Sequence, residues 1–275
     1  HIDGRKTAVN MEKVDEAGFF AALVSSKKKL SYTYSVEKVN GEVTEYTDPY
    51  AFANVTKPED YKAFLAGEEK NAAHIFGAHE RTVNGVKGVL FNVWAPKALS
   101  VSVVGEFNKY DGRVHLMERI EDTGVFELFI PGLAAGCGYM YEIKRQGKGT
   151  TRKLDPVSRQ ISSVPIIASV VSDENMPDSY AWNDGLWMIK RKKEAGKKKP
   201  VTVYEVSLTD WLKEKSADEL VDFVKQEGYT HVCFLPVAEY LNEEMNGYST
   251  LGYFAVTHRI GGSDAFKKLV DDCHN

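Results

Sequence analysis

Two pairs of side chains stand where they could do chemistry. Glu205 and Asp210 flank the end of the apolar run VTVYEVSL and could pass for a general acid and base. His74 and His79, in AHIFGAHE, invite a metal. A zinc site needs three or four ligands and no third is nearby, so a structural hydrogen bond is the expected role. The lysine-rich run IKRKKEAGKKKP could meet a polyanion. It has no interleaved aromatic ring and the chain is acidic, so it reads as a solvated linker.

The 275 residues hold 35 basic and 39 acidic side chains, a formal charge of -4 that offers no general attraction to nucleic acid or an anionic membrane. Neither partner is expected. Cys137, Cys233 and Cys273 are far apart and odd in number, which excludes a disulfide framework and a paired zinc motif. A reducing cytoplasm is expected, with no metal and no cofactor. No apolar run approaches the roughly 20 residues of a membrane helix, and HIDGRKT lacks a signal-peptide core.

The elements that must position these residues change character along the chain. LSYTYSV alternates, and Asn40-Gly41 marks a turn to a second strand. The pattern returns: Gly18, Phe20, Tyr32, Tyr34 and Asp48-Pro49 are echoed by Gly124, Phe126, Tyr139, Tyr141 and Asp155-Pro156. Two copies of one immunoglobulin-like β-sandwich are expected, the first without its opening strands. KPEDYKAFLAGEE between them suits a short helix presenting Tyr61, Phe64 and Leu65. LFNVWA and SVSVVGEF, with a turn at Asn108 to Gly112, open the second sandwich, and Trp94 is expected in its core.

After the lysine run the order is strand VTVYEVSL, helix SADELVDFVKQEG, strand HVCFLPV and a closing helix. Ser216 and Glu219 form a capping box, and Leu220, Phe223 and Val224 form a buried stripe ended by Gly228. Ser263 is expected to cap the last helix, whose apolar face is Phe266, Leu269, Val270 and Cys273. Near-continuous apolar strands suit a parallel sheet covered on both faces. The expected organisation is multidomain: residues 1–70 a partial sandwich with connecting helix, 71–190 a second sandwich, and 191–275 a linker with the first βα units of a (β/α)8 barrel. An eight-stranded barrel needs about 250 residues, so the chain reads as the front part of a larger protein.

FNVWAPKALSVSVVGEFNKYDGRVHLM, GVFELFIPG, VYEVSLTDW, GYTHVCFLPVAEY and NGYSTLGYFAVTHRIGGSDAFKKLVDDCHN, in that order, resemble the glycogen (1,4-α-glucan) branching enzymes of glycoside hydrolase family 13. The resemblance covers nearly the whole chain. It implies an extra N-terminal sandwich, a starch-binding-type module (carbohydrate-binding module family 48) and the opening of a catalytic barrel. It also implies an α-glucan partner and a retaining transfer to a glucan 6-hydroxyl, by carboxylates that follow later barrel strands. No catalytic residue is then expected in this chain, and Glu205 and Asp210 become structural or peripheral.

The same resemblance marks Tyr248 as an aromatic platform beside the sugar being cleaved, and Tyr110 as the counterpart of a glucan-stacking Trp in the module. Departures surround them. Asn246-Gly247-Tyr248-Ser249 stands where relatives read Trp-Gly-Tyr-Gln, and Glu239-Tyr240-Leu241 where they read Glu-His-Pro. Two rivals remain: a non-catalytic glucan-binding protein, and a debranching or pullulanase-type hydrolase of the same superfamily. If the barrel is cut short, its two strands carry open edges, and either self-association through residues 201–275 or mobility of that region is expected.

Overall fold

A computed structural model describes residues 8–275 except 26, 28, 29, 31, 163, 164 and 173–179. Ser31 of the first alternating run and the HIDGRKT start therefore lie outside the described residues. The chain is mostly β-sheet, and no helix is long and apolar enough to cross a membrane.

The first strands form two antiparallel hairpins: β1 (Glu12–Asp15) with β2 (Phe19–Ala21), and β3 (Tyr34–Glu37) with β4 (Val43–Tyr46). Gly41, at φ +79°, takes the left-handed corner of the second turn, as the Asn-Gly pair leads one to expect. Residues Pro58–Tyr61 form a 3-10 turn that runs into α1 (Lys62–Leu65). Tyr61 is buried, and Phe64 is packed against the same small cluster with Phe76. Leu65, grouped with them by helical spacing, is exposed, because the helix makes barely one turn and only one side of it meets the sheet.

Two larger sheets follow and share one core. In the first, β5 (Gly77–Val83), β6 (Val86–Trp94), β9 (Val125–Pro131) and β8 (Glu118–Ile120) are antiparallel neighbours in that order. In the second, β10 (Gly138–Arg145) lies between β7 (Ser100–Gly105), β11 (Gly149–Lys153) and β13 (Ala168–Val170), with β12 (Ile161–Ser162) beyond β13. Val89, Phe91, Val93, Phe126, Leu128 and Ile130 from one sheet meet Val101, Val103, Tyr139 and Tyr141 from the other. Removing that much apolar surface from water is what holds the layers together. Trp94 departs from expectation: at the end of β6 its ring is 47% exposed and leans edge-on against Phe64, centroids 5.3 Å apart. Alternation along the strand sends it to the outer face, away from Val93.

The sequence echo proves to be an echo of hydrogen bonds. Tyr139 Oη and Tyr141 Oη donate to Asp155 Oδ2 at 2.6 and 3.2 Å, across 16 and 14 residues. Tyr32 and Tyr34 donate to Asp48 Oδ2 at 2.7 and 3.3 Å, across the same 16 and 14. Each aspartate then accepts from the backbone N–H two residues on, Val157 or Tyr50. Strand register repeats as well: Tyr34 faces Tyr46 as Tyr141 faces Lys153, and Lys13 faces Phe20 as Arg119 faces Phe126. The surroundings differ. In the second copy β6 and β7 pair with β9 and β10 and cover the unit; among the described residues the first copy has only its two hairpins. Phe20 is accordingly 54% exposed where Phe126 is 2%.

A buried carboxylate ties the two parts together. Glu127 on β9 accepts from Val55 N at 2.6 Å, from Thr56 N at 3.2 Å, from Asn92 Nδ2 at 3.2 Å and from the Thr56 hydroxyl. Asn92 Nδ2 also donates to Tyr61 Oη at 2.7 Å, and because the Thr56 hydroxyl donates to Glu127, Tyr61 Oη donates to Thr56 Oγ1. The connection between the copies is thus stitched into the sheet by one polar network.

Beyond β13 the chain forms α2 (Gly185–Glu194). The lysine-rich run, expected as a solvated linker, is largely exposed, and its residues 189–194 complete this helix, because Lys and Arg are good helix formers and favour a C-terminal turn. Trp187 anchors it by stacking on His274, 3.5 Å between centroids. Then β14 (Val203–Val206) pairs in parallel with β15 (His231–Phe234), joined by α3 (Leu208–Trp211) and α4 (Ala217–Gln226). The strands are shorter than their apolar runs: Ser207 caps α3 and ends the first. The Ser216–Glu219 box is present, and Leu220 and Val224 are buried with Phe223 beside them. A hairpin follows, β16 (Ala238–Tyr240) and β17 (Thr250–Val256), then α5 (Gly262–His274). Ser263 does not cap α5. Gly261, in the left-handed conformation at φ +88°, starts the helix one residue before Gly262, leaving Ser263 inside the first turn.

The duplicated tyrosine–aspartate clasp allows an internal comparison. Tyr139→Phe should cost about 1–3 kcal/mol, the range for a hydrogen bond to a charged, buried acceptor, whereas Tyr32→Phe should cost less than about 1 kcal/mol because water replaces the lost donor. Urea unfolding of the two variants checks this; equal costs would mean that burial does not separate the copies.

Candidate functional site

Tyr110 stands in the tight loop that leaves β7. Glu106–Asn108 opens it with a 3-10 turn, and Lys109 and Tyr110 both adopt positive φ, 54° and 58°. Two successive left-handed non-glycine residues cost roughly 1–3 kcal/mol each and persist only when the surroundings insist. Here they do: Tyr110 N donates to Gly105 O at 2.8 Å, and Gly105 N donates to Asn108 Oδ1 at 3.0 Å. The buried Asn108 side chain also donates to Val103 O at 2.8 Å and reaches His115 Nδ1 at 2.9 Å.

The loop folds back over β10 and β11. A Cβ at Gly112 would fall on Glu142 Oε1, so a larger residue there would have to displace the Glu142 carboxylate. Glu142 pairs with Arg152 at 3.1 Å, and Arg152 Nη2 donates to Tyr110 O at 2.8 Å. The Arg152 guanidinium carbon lies 5.8 Å from the Tyr110 ring centroid. A half-buried ring, a guanidinium and a carboxylate therefore converge on one surface: an apolar face for the C–H side of a sugar and charged hydrogen-bonding groups for its hydroxyls. Beside it, Ser100, Ser102, Arg113, Lys144 and Thr150 line a shallow cleft. Arg113 holds the Asp111 carboxyl down at about 2 by hydrogen bonding to it.

Tyr248 stands apart, at the tip of the β16–β17 hairpin, with its ring 66% exposed. Asn246 is left-handed at φ 47°, a conformation that Asn adopts more readily than most residues. Gly247 follows at φ +85°, where a Cβ would lie 2.9 Å from Pro236 O. The hairpin rests on the preceding sheet through Gly252, where a Cβ would meet Ile161 of β12. Its other end is held by Glu239. That buried carboxylate accepts from Thr257 Oγ1 at 3.1 Å, His258 N at 3.0 Å and Arg259 Nη1 at 2.7 Å, with His258 Nδ1 at 2.9 Å. Arg259 also stacks over Tyr240, 4.2 Å from the ring centroid. Burial alone would push the Glu239 carboxyl up, but the hydrogen bonds from His258 and its neighbours outweigh it and leave it lowered.

The remaining candidates separate. Glu205 is exposed on β14, while Asp210 pairs with Lys213 at 2.8 Å. His74 is exposed; His79 is buried with Nε2 2.9 Å from Phe76 O, a structural hydrogen bond. Among the described residues no group of three or more His, Cys, Asp or Glu could hold a metal ion. Sequence reasoning missed Glu142, Arg152, Glu239 and Arg259. The first two face each other across the hairpin centred on Gly147, and reading that turn would have found them. Nothing local signals the second pair.

Residues 75–158 match the family described as carbohydrate-binding module 48 (isoamylase N-terminal domain). The 1,4-alpha-glucan branching enzyme GlgB of Methylococcus capsulatus is 38% identical over 275 residues, covering 96% of this chain and 37% of the relative. The GlgB of Nitrosococcus oceani is 39% identical over 90% of this chain and 34% of the relative, and that of Shewanella baltica 35% over 99% and 38%. The chain thus spans little more than a third of the curated relatives it matches. Among solved structures, the catalytic module of the multi-modular glycogen-degrading pneumococcal virulence factor SpuA superposes with a TM-score of 0.50 at 20% identity, over 72% of this chain and 35% of that one. At that identity the likeness is one of fold.

Glu239→Ala should loosen the hairpin that carries Tyr248, at a cost of about 1–3 kcal/mol, because Thr257, His258 and the partly exposed Arg259 lose the acceptor that gathers them. The lowered carboxyl contributes stability above its unfolded value of 4.5 that is lost as pH falls through and below it. Acid unfolding of wild type and Glu239→Ala measures both: the variant should lose the part of the acid transition that Glu239 supplies.

Proposed function

Given that residues 75–158 are a carbohydrate-binding module 48 domain, in a chain related along 96% of its length to 1,4-alpha-glucan branching enzymes, we propose that this chain is part of such an enzyme. The observation that carries the reading is the reach of that similarity, which covers 96% of the chain and so extends beyond the module to the parallel βα unit. The parent protein then cuts an α-1,4-glucan, holds the segment as a covalent glycosyl-enzyme, and transfers it to a glucan 6-hydroxyl. In this reading β5 to β13 are a sandwich, the earlier hairpins belong to a partial copy of it, and β14, α4 and β15 open a (β/α)8 barrel. Its working compartment is the cytoplasm.

Each site residue has a role in this proposal. Tyr110, with Arg152 and Glu142, holds glucan on the module. Tyr248 offers its exposed ring to the sugar beside the cleaved bond, from a loop beyond the C-terminal end of β15, the side of a barrel where substrate is met. The nucleophile and the acid lie on later strands, so residues 1–275 alone have no branching activity. The open edges of β14 and β15 offer unpaired backbone to a second copy, and the isolated chain associates through residues 201–275.

Purified residues 1–275 should leave the iodine spectrum of amylose unchanged, while the complete protein should shift it as branches form. Debranching by the complete protein would support the hydrolase rival instead. In glycogen gels residues 1–275 should be retarded weakly, since one aromatic platform supplies only about 1–3 kcal/mol before ordering costs. Tyr110→Ala should abolish that retardation; retardation that survives the change places the binding site elsewhere.

A further inference from the structure

The Tyr110 loop contains a device that sequence similarity does not describe. Asn108 is buried, and its amide orientation is fixed: Oδ1 accepts from Gly105 N, so Nδ2 is the donor to Val103 O. The same Nδ2 lies 2.9 Å from His115 Nδ1, which must therefore accept and carry no proton. His115 is itself pinned to β7, its carbonyl accepting from Val103 N at 3.0 Å, and its ring lies 5.6 Å from that of Phe107. One neutral imidazole thus completes the shell of the side chain that holds Lys109 and Tyr110 in their left-handed conformations.

We propose that Asn108 and His115 are the positioning residues of Tyr110, and that protonation of His115 releases the loop and withdraws the ring from ligand. The inference rests on the reading of Tyr110 as a glucan platform. A proton on Nδ1 would face the Asn108 N–H, turning an acceptor into a second donor at a buried contact, and the strained pair would lose the anchor that over-determines it. Burial pushes the His115 imidazole below its ordinary 6.5, in keeping with a neutral ring. The charged groups around it offer the imidazolium no partner. Asp111 is paired with Arg113 and Glu142 with Arg152, while Glu106 and Lys109 are exposed. Because the folded value lies below the unfolded one, the neutral-ring arrangement is fully present above 6.5 and is lost as pH falls through the folded value.

The test uses the 275-residue chain and two readouts. The first is the backbone amide resonances of Gly105 and Tyr110, the N–H groups bonded to Asn108 Oδ1 and Gly105 O. In wild type they should move together with a midpoint below 6.5. In His115→Asn, whose side-chain oxygen can accept from Asn108 without titrating, they should stay fixed over the same range. The second readout is retardation by maltoheptaose-bearing gels: wild type should lose affinity by about tenfold per pH unit below the midpoint, and His115→Asn should not. Asn108→Ala should displace both amides at neutral pH. If retardation is absent at every pH, the glucan reading fails while the amides still decide the positioning claim. Amides of wild type that stay fixed through the titration of His115, or that titrate with the same midpoint in His115→Asn, overturn it.

Discussion

A carboxylate taken out of water must be met by donors, and among the described residues four carboxylates use that constraint to fasten distant segments together. Glu127, Asp155, Glu239 and Asp271 are all nearly inaccessible. Glu127 gathers the connection at Val55 and Thr56; Asp155 gathers Tyr139 and Tyr141; Glu239 gathers Thr257, His258 and Arg259. Asp271 on α5 takes Tyr180 Oη at 2.9 Å and Asn183 N at 3.0 Å, which docks the approach to α2. Apolar burial gives each region its core, but it is nondirectional. The carboxylates specify which segment lies where, because each leaves an uncompensated charge if its donors move away.

The two tyrosine–aspartate clasps show how a local motif and its environment contribute separately. Spacing, register and hydrogen bonds agree in both copies, so they follow from the residues themselves. The degree of burial does not agree. It comes from β6 and β7, which lie alongside the second copy and have no described counterpart beside the first. In the dry setting Asp155 is raised by burial despite its donors, and Tyr141 is raised well above its ordinary value for the same reason.

Both aromatic candidates occupy backbone that resists an ordinary residue: Tyr110 is left-handed, and Tyr248 follows the left-handed Asn246 and Gly247. Such turns expose a ring by spending local strain, and each is secured from beneath, one by Asn108 and the other by the hairpin anchored on Glu239. Rigid presentation of a ring lowers the ordering cost of binding, which matters most when a single platform supplies the contact. The convergence of Arg152 and Glu142 on Tyr110 gives that site a directional component that Tyr248 lacks among its described contacts.

The sequence by itself determined what depends on neighbours along the chain. The capping box at Ser216, the Asn40-Gly41 turn, the repeated Tyr-x-Tyr and Asp-Pro spacing, and the parallel pair joined by a helix are all governed by backbone geometry within a few residues or by hydrophobic period. The resemblance to branching enzymes was legible too, since it is carried by ordered motifs. Tertiary structure decided which face of an element meets something. Trp94 sits outside because Val93 takes the core; Leu65 is exposed because α1 is too short to wrap; α2 is held where it is because Trp187 docks on His274. The Glu239–Arg259 clasp and the Asn108–His115 contact were invisible for the same physical reason. A buried ion pair or an imidazole acceptor is defined by where its partner's backbone is placed, and no local propensity encodes that placement.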